Sequence, residues 1–474
     1  MMKNAQSTVK ESVLKGAGVN TGYGPVFQTI DIGHPEYISV IDPDSAFWSI
    51  VLKKQLSSVF DRNSSLQKQF FGKRDKFLEE INALRFNSQP LAVYFNPTER
   101  CNLDCVYCYL PKNQRREGVH MSRARMHDAM KRLKNYFTQT LPKGIQPRII
   151  FHGAEPMLVR EAVFEVIENY SDYFHFGIQT NGTLLDDEAI RFIKKLRVGL
   201  GLSLDGHIGR VANRTRMTWG GDGVFKTVSG VLEKLVGYDN YNVICTATSE
   251  NMSALPQVVS YLHDLQVPVA MLNPVRCTRQ GAREVKPPDR ELSKHYLKAL
   301  DRSYELFEKT NRKLVIANFA NILISIMAPA ARILMCDISP CGGGRCFFAV
   351  SASGDMFPCS EFLGMQEFNG GNLFRNKIDT VLKSDAFQKV TSRKVENITP
   401  CSHCAIRHFC GAPCPAEAYE MNGGMDKIGA FCELYEEQLR YAMRLIADEK
   451  AEAFLWDGWD HDTEMSFDVK TLSV

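Results

Sequence analysis

Asn96-Pro-Thr-Glu-Arg-Cys-Asn-Leu-Asp-Cys-Val-Tyr-Cys108 decides how this chain is read. The stretch follows a short apolar run, 91–95, which predicts a β-strand, so its three cysteines fall on the loop just beyond the strand. Cys101, Cys105 and Cys108 are spaced C-x3-C-x2-C. Three thiolates so close together can hold three corners of a cubic [4Fe–4S] cluster, which leaves the fourth iron open for chemistry. A structural zinc site would need a fourth ligand close by; His120 is the nearest candidate and stands outside any knuckle spacing.

Downstream, strand and helix patterns alternate. Apolar strand-like runs occur at 148–152, 174–179, 198–204, 243–247 and 267–272, separated by helical periodicity at 122–137, 160–173, 186–195, 224–236 and 251–265. With the first run this makes six β-strands, and such alternation predicts a parallel sheet whose site lies on the loops after the strands. Those loops carry His152-Gly-Ala-Glu-Pro156, Gln179-Thr-Asn-Gly182, Ser203-Leu-Asp-Gly206 and Asn213-Arg-Thr-Arg216. Small residues such as Gly153 and Ala154 suit close approach of backbone to a ligand.

Size and composition bound the rest. A chain of 474 residues suggests two or three domains. Apolar residues make up 44% and charged residues 23%, an ordinary balance for a globular protein, and a formal charge of +3 argues against nucleic acid or an anionic membrane as the main partner. No apolar run reaches the ~18 residues of a membrane span, and 1–24 lacks the apolar core of a secretory signal. Fourteen cysteines in such a chain suggest metal or cluster ligands in a reducing compartment, hence the cytoplasm.

The cysteine trio, with Tyr107 just before its third member, resembles the radical S-adenosylmethionine (SAM) superfamily. That resemblance implies a partial, TIM-like (β/α)6 barrel over 91–325. It also implies SAM on the open iron, cleaved to a 5′-deoxyadenosyl radical that abstracts hydrogen. Gly153-Ala-Glu-Pro156 resembles the family's GGEP segment with Ala154 in place of a glycine, and Thr180-Asn-Gly resembles its ribose-side segment. The SAM contacts so implied are Tyr107, Gly153, Ala154, Glu155, Pro156, Thr180, Asn181, Ser203, Asp205 and Arg216. Glu155 is a candidate acceptor for the SAM ammonium, and Arg216 a guanidinium fork for its carboxylate, with Arg214 a competing candidate or a surface charge.

A second cysteine group begins at Cys336, Cys341, Cys346 and Cys359, and continues as Cys401-x2-Cys404-x5-Cys410-x3-Cys414 with Cys432 beyond. This resembles the SPASM extension of radical SAM enzymes, here over 326–445, which holds two auxiliary [4Fe–4S] clusters and brings the total to three. By the family's ligand arrangement, Cys341, Cys346, Cys359 and Cys414 are assigned to the first and Cys401, Cys404, Cys410 and Cys432 to the second. Cys336 is left over and could substitute for one of them. A pair of four-cysteine zinc sites is the competing reading. Cys245 reads as a core residue and Cys277 as a loop thiol.

At the ends, 1–24 reads as a mobile leader and 25–90 as a small α+β module, either gripping a peptide leader or padding the barrel mouth. The acidic tail 446–474 reads as a loose end, with a strand around Trp456 as the alternative. The resemblance implies a maturase of a ribosomally made precursor peptide, forming a thioether or other side-chain crosslink, with a one-electron donor such as flavodoxin or ferredoxin. Formylglycine formation on sulfatases is the alternative enzyme class. There the residue after the hairpin cysteine is an Asp base; here it is Ser360, followed by Glu361, the one candidate acid–base residue, which would point elsewhere unless the loop shifts. A zinc-stabilised peptide-binding scaffold is the non-enzymatic alternative.

Overall fold

The computed structural model describes residues 17–19, 27–61 and 63–460. Most of the leader reading, and the tail beyond 460, lie outside the described residues. Within the leader, β1 (Ala17–Val19) pairs antiparallel with β2 (Phe27–Ile30), so this part is strand and departs from the expectation of a loose leader. The meander continues through β3 (Tyr37–Ile41) and β4 (Trp48–Leu52), followed by a helix at Ser65–Phe86. Ser64 caps that helix, its hydroxyl accepting from the Gln67 amide at 3.2 Å. Phe27 and Phe47 meet Phe70 edge-on at 5.2 and 5.3 Å, closing the apolar face of the sheet with the helix.

This module is fastened to the C-terminal part of the chain. The Trp48 indole donates to the Ile326 carbonyl at 2.9 Å, and Arg444 donates to the Ile32 carbonyl at 2.5 Å. Arg85 donates to the Ser339 carbonyl and pairs with Glu396 at 2.7 Å. These contacts join the module to the segment that carries the second cysteine group.

The main sheet holds six parallel strands in sequence order: β5 (Ala92–Phe95), β6 (Arg148–Phe151), β7 (His175–Thr180), β8 (Gly199–Ser203), β9 (Tyr241–Ala247) and β10 (Val269–Pro274). Side chains such as Val93, Phe151, Ile178, Leu202 and Val243 are buried between the sheet and the helices that alternate with its strands. Two of those helices start on side-chain caps, Ser122 to the Arg125 amide and Asp186 to the Ala189 amide. β11 (Val315–Ile316) adds a short parallel edge at β10.

At the other edge, β12 (Phe347–Val350) pairs in parallel with β5 and is followed by antiparallel β13 (Asp355–Phe357) and β14 (Gly371–Asn372). The hairpin of the second cysteine region therefore extends the barrel sheet directly. The tail also departs from expectation: Phe454 stacks on Tyr304 at 6.0 Å and Leu455 and Trp459 are buried, so apolar side chains keep the chain packed as far as Trp459. No helix among the described residues is long and apolar enough to cross a membrane.

Candidate active site

The loop of Cys101, Cys105 and Cys108 leaves β5 and is pinned on three sides. The Cys101 amide donates to the Arg115 carbonyl at 2.8 Å, and the Asp104 and Val106 amides donate to Met217 and Thr215 at 2.8 and 3.1 Å. The Trp219 indole donates to the Cys101 carbonyl at 2.8 Å. From β6, the Ala154 and Glu155 amides donate to the carbonyls of Thr98 and Arg100 at 2.8 and 3.0 Å. The Gly-Ala-Glu-Pro turn is thus a backbone clamp on the cysteine loop. His120 is occupied elsewhere, its Nδ1 2.7 Å from the Thr98 hydroxyl.

Burial pushes the Cys101 thiol up to about 12 and the Cys105 thiol up to about 11, and raises Cys108 as well. Buried thiols grouped this way, with Arg216 and Arg115 acting on them, suit a centre whose iron displaces their protons. The donor set fits an iron–sulfur cluster bound from one loop.

Glu155 is buried, and its carboxylate is already engaged. One oxygen accepts from the Met157 amide at 3.0 Å and the Thr180 hydroxyl at 2.7 Å; the other accepts from the Asn181 amide at 2.8 Å. Three of its roughly four acceptor positions are used within the protein, which leaves one for a ligand ammonium. Burial nevertheless raises its carboxyl above the usual range. Asn181 reaches back to the cysteine loop, donating to the Asn102 side-chain oxygen at 2.8 Å and toward the Cys101 sulfur at 3.8 Å. Ser203 closes β8, half-buried.

Tyr107, Asp205 and Arg216 form one buried network. The Tyr107 hydroxyl donates to Asp205 at 2.5 Å, Arg216 donates to the Tyr107 oxygen at 2.7 Å, and Asp205 also accepts from the Thr246 amide at 2.9 Å. Burial works against the Arg216 charge, but Tyr107, Cys105 and Asp205 outweigh it and hold the guanidinium charged. Its buried Nε has no partner within the protein, a donor left for an anion. Arg214 is a surface charge facing Glu250 at 3.5 Å, its side chain 57% exposed.

The later cysteines fall into two sets. Cys410 is acted on by Cys432, Cys404 and Cys401, which matches the second expected group. In the other set, Cys359 is acted on by Cys336 and Cys341, and Arg276 by both Cys414 and Cys336. Cys346 is acted on by Arg345, Ser88 and Cys341, and its carbonyl accepts from the Leu91 amide at 2.8 Å. Cys336 is exposed as a residue, while desolvation raises its thiol to about 12 and Cys341 and Glu361 act on it. Asp289 accepts from the Glu433 and Leu434 amides, both at 2.9 Å, and so fixes the start of the helix that begins at Cys432. No three ligating side chains among the described residues converge on a single ion-sized point.

Glu361 sits near cysteines of both groups. Cys108 of the first loop feels its charge, and so do Cys336, Cys359 and Cys414. The Thr278 hydroxyl donates to it at 3.5 Å, and burial raises its carboxyl to about 7 against the pull of Arg276. Arg279 joins the two sides, donating to the carbonyls of Tyr109 at 3.0 Å and Leu363 at 3.4 Å. Glu417 accepts from the Cys277 and Ala430 amides at 2.9 and 3.0 Å, tying the loop after β10 to the C-terminal region. Sequence reasoning missed Arg276, Thr278, Arg279 and Glu417; the one signal was the pair Arg276 and Arg279 shortly after the predicted strand 267–272, and Glu417 carried none. The Tyr109 hydroxyl lies 3.1 Å from Nδ1 of His152, and burial holds that imidazole down to about 4.

The radical SAM superfamily model matches residues 95–244, and the model of SPASM, an iron–sulfur cluster-binding domain, matches residues 341–405. An uncharacterised protein of Archaeoglobus fulgidus is 38% identical over 405 residues, covering 85% of this chain and 91% of its own length. A cysteine-type anaerobic sulfatase-maturating enzyme of Clostridium perfringens is 24% identical, covering 75% of this chain and 98% of its own. The subtilosin biosynthesis protein AlbA of Bacillus subtilis is 23% identical over 68% of this chain and 66% of its own. Among solved structures, anSMEcpe with bound AdoMet superposes with a TM-score of 0.66 at 22% identity, over 78% of this chain and 99% of its own. Streptococcus suis SuiB bound to its precursor peptide SuiA gives 0.55 at 13% identity, over 84% and 98%. At these identities the structural likeness establishes the fold.

Proposed function

The chain belongs to the radical SAM superfamily and carries a SPASM iron–sulfur domain, and from that premise we propose that it is a maturase acting on a side chain of a ribosomally made peptide. Its cofactors are SAM and [4Fe–4S] clusters. In this proposal Cys101, Cys105 and Cys108 hold the SAM-binding cluster, and Cys401, Cys404, Cys410 and Cys432 hold the second auxiliary one. The first auxiliary cluster takes Cys341, Cys359 and Cys414 with Cys336 in place of Cys346, because Cys336 acts on both Cys341 and Cys359 whereas Cys346 is coupled to Cys341 alone and hydrogen-bonds Ser88. SAM is held by the carbonyl-rich Gly153–Pro156 turn, Thr180, Asn181 and Ser203, with the Tyr107–Asp205–Arg216 network beside its carboxylate.

When bound, these groups supply a 5′-deoxyadenosyl radical for hydrogen abstraction and a sink for the surplus electron. The chain's own contribution is proton handling and geometry. Glu361 accepts the proton of a substrate thiol or hydroxyl, the Thr278 hydroxyl orients its carboxylate, and Arg279 fixes the distance between the two sides of the chamber. The single observation that carries this reading is the place of Glu361, near enough to Cys108 and Cys359 for its charge to act on both.

The product proposed first is a thioether or other crosslink. Formylglycine formation is the second reading, and the same observation favours it, since the carboxylate thought to point away lies near Cys108 and Cys359. A one-electron donor such as flavodoxin or ferredoxin and a cytoplasmic location complete the proposal, supported by fourteen cysteines all free of disulfides. The N-terminal module is assigned a bracing role for the 326–445 domain.

The test is anaerobic turnover with SAM and cysteine- or serine-containing peptides, followed by mass spectrometry. A crosslink appears as loss of two hydrogens with no new aldehyde; formylglycine appears from cysteine as exchange of sulfur for oxygen with loss of two hydrogens, and from serine as loss of two hydrogens with an aldehyde that a hydrazide captures. Glu361→Gln should form 5′-deoxyadenosine without product; a fully active variant would remove the proton-acceptor role.

A further inference from the structure

We propose that Arg393 is a positioning residue for electrons: a fixed positive charge at the seam of the two auxiliary cysteine groups that raises the reduction potential of both. The inference rests on the ligand assignment proposed above. Arg393 is only 7% exposed. Its Nε donates to the Met425 carbonyl at 2.7 Å, one terminal nitrogen to Ala412 at 2.7 Å and the other to Lys427 at 2.9 Å. Ala412 lies on the short link between Cys410, assigned to the second group, and Cys414, assigned to the first. The guanidinium is therefore held where the chain passes from one group to the other.

Its backbone is held on the same side. The Arg393 carbonyl accepts from the Ser339 hydroxyl at 3.2 Å, that hydroxyl accepts from the Val395 amide at 2.7 Å, and Ser339 stands two residues before Cys341. The ionisable groups that act on Arg393 are Cys341 and Cys414 from one set and Cys401 and Cys410 from the other. No carboxylate forms an ion pair with it among the described residues, so its charge is not cancelled locally. Three carbonyls occupy three of the five N–H donors of a guanidinium.

A [4Fe–4S] cluster held by four thiolates is anionic and gains a further negative charge on reduction. A buried cation beside it favours the reduced form, and low local polarity strengthens the effect. A cation placed between two clusters acts on both, which a strut on one side would not do. The seam thus makes the auxiliary pair better electron acceptors than their cysteines alone would.

The experiment is an EPR-monitored redox titration of the reconstituted full-length enzyme as wild type, Arg393→Gln, Arg393→Met and Arg393→Lys, each with its iron counted. The neutral variants with full iron should show both auxiliary potentials shifted downward, and Arg393→Lys should stay near wild type. Unmoved potentials in a fully loaded neutral variant, a shift confined to one cluster, or an Arg393→Lys shift as large as the neutral ones would overturn the role. If both neutral variants lose auxiliary iron while Arg393→Lys keeps it, the charge is what the centres need; if Arg393→Lys loses it too, the residue is a strut and the proposal fails. The ligand assignment stands or falls separately, on iron counts of the cysteine variants.

Discussion

Gly281 lies directly under the carbonyl oxygen of Val106, so close that a Cβ at 281 would overlap it. Val106 sits inside the cysteine loop after β5, and Gly281 begins the short helix Gln280–Glu284 after β10. The segments that follow β5 and β10 thus meet at a backbone contact next to Cys105. Gly281→Ala forces one loop away from the other, at about 1–3 kcal/mol for an overpacked contact. The expected result is a lowered melting temperature and loss of the SAM-binding cluster's iron with the auxiliary iron kept. A variant with wild-type iron and melting temperature would show that the contact does not set the loop.

Arg216 and Arg214 are separated by one residue and face opposite ways. Arg216→Ala removes the hydrogen bond to Tyr107 and the unpartnered Nε, and should weaken SAM binding by about 1–3 kcal/mol. Arg214→Ala breaks a solvent-exposed ion pair and should change affinity by less than about 0.5 kcal/mol. Calorimetric SAM titration of the two variants distinguishes them, and the reverse ranking would move the role to Arg214.

Cys336→Ala should cost one auxiliary cluster, whereas Cys346→Ala should keep all three. Iron and sulfide analysis with Mössbauer spectra of the two proteins reads this directly. Full iron in the Cys336 variant would return the ligand role to Cys346.

Trp48 ties the N-terminal sheet to Ile326 and is fully buried. Trp48→Ala should cost about 3–5 kcal/mol, seen as a lower urea midpoint. Deleting 1–86 should release auxiliary iron along with any peptide affinity, because Arg85 and Leu84 brace the segment around Cys341. Auxiliary iron retained in the deletion would make the module separable after all.

His152 is buried with its ring held neutral, its pKa lowered from 6.5 to about 4. The unfolded chain binds this proton more readily than the folded one, so the stability from the neutral ring is present above about pH 6.5. It is lost as pH falls toward 4, up to about 3 kcal/mol. His152→Gln should flatten that part of the stability–pH curve measured by denaturant unfolding; an unchanged slope would assign it to other groups.

Much of the barrel was legible because its signals are local. Each of β5 to β10 shows as an apolar run a few residues long, and the Ser122 and Asp186 caps stand where helical periodicity begins. β11 and the β5–β12 pairing were not legible, since two or four residues carry no period and the partners lie far apart in the chain. The tail was misjudged from its acidic residues, while Phe454, Leu455 and Trp459 decided its packing.

By itself the sequence determined the chemistry available: cysteines at ligand spacing on one loop, a small-residue turn after the next strand, and nine more cysteines in a C-terminal block. These are properties of neighbouring residues, and short-range spacing along a chain survives folding unchanged. Only the tertiary structure decided that Cys336 and Cys341 come near enough to act on Cys359, that Glu361 acts on Cys108 across the chain, and that Arg393 is near thiols of both groups. Those relations arise when distant segments are packed together, and where a buried charge ends up depends on the partners packing brings to it.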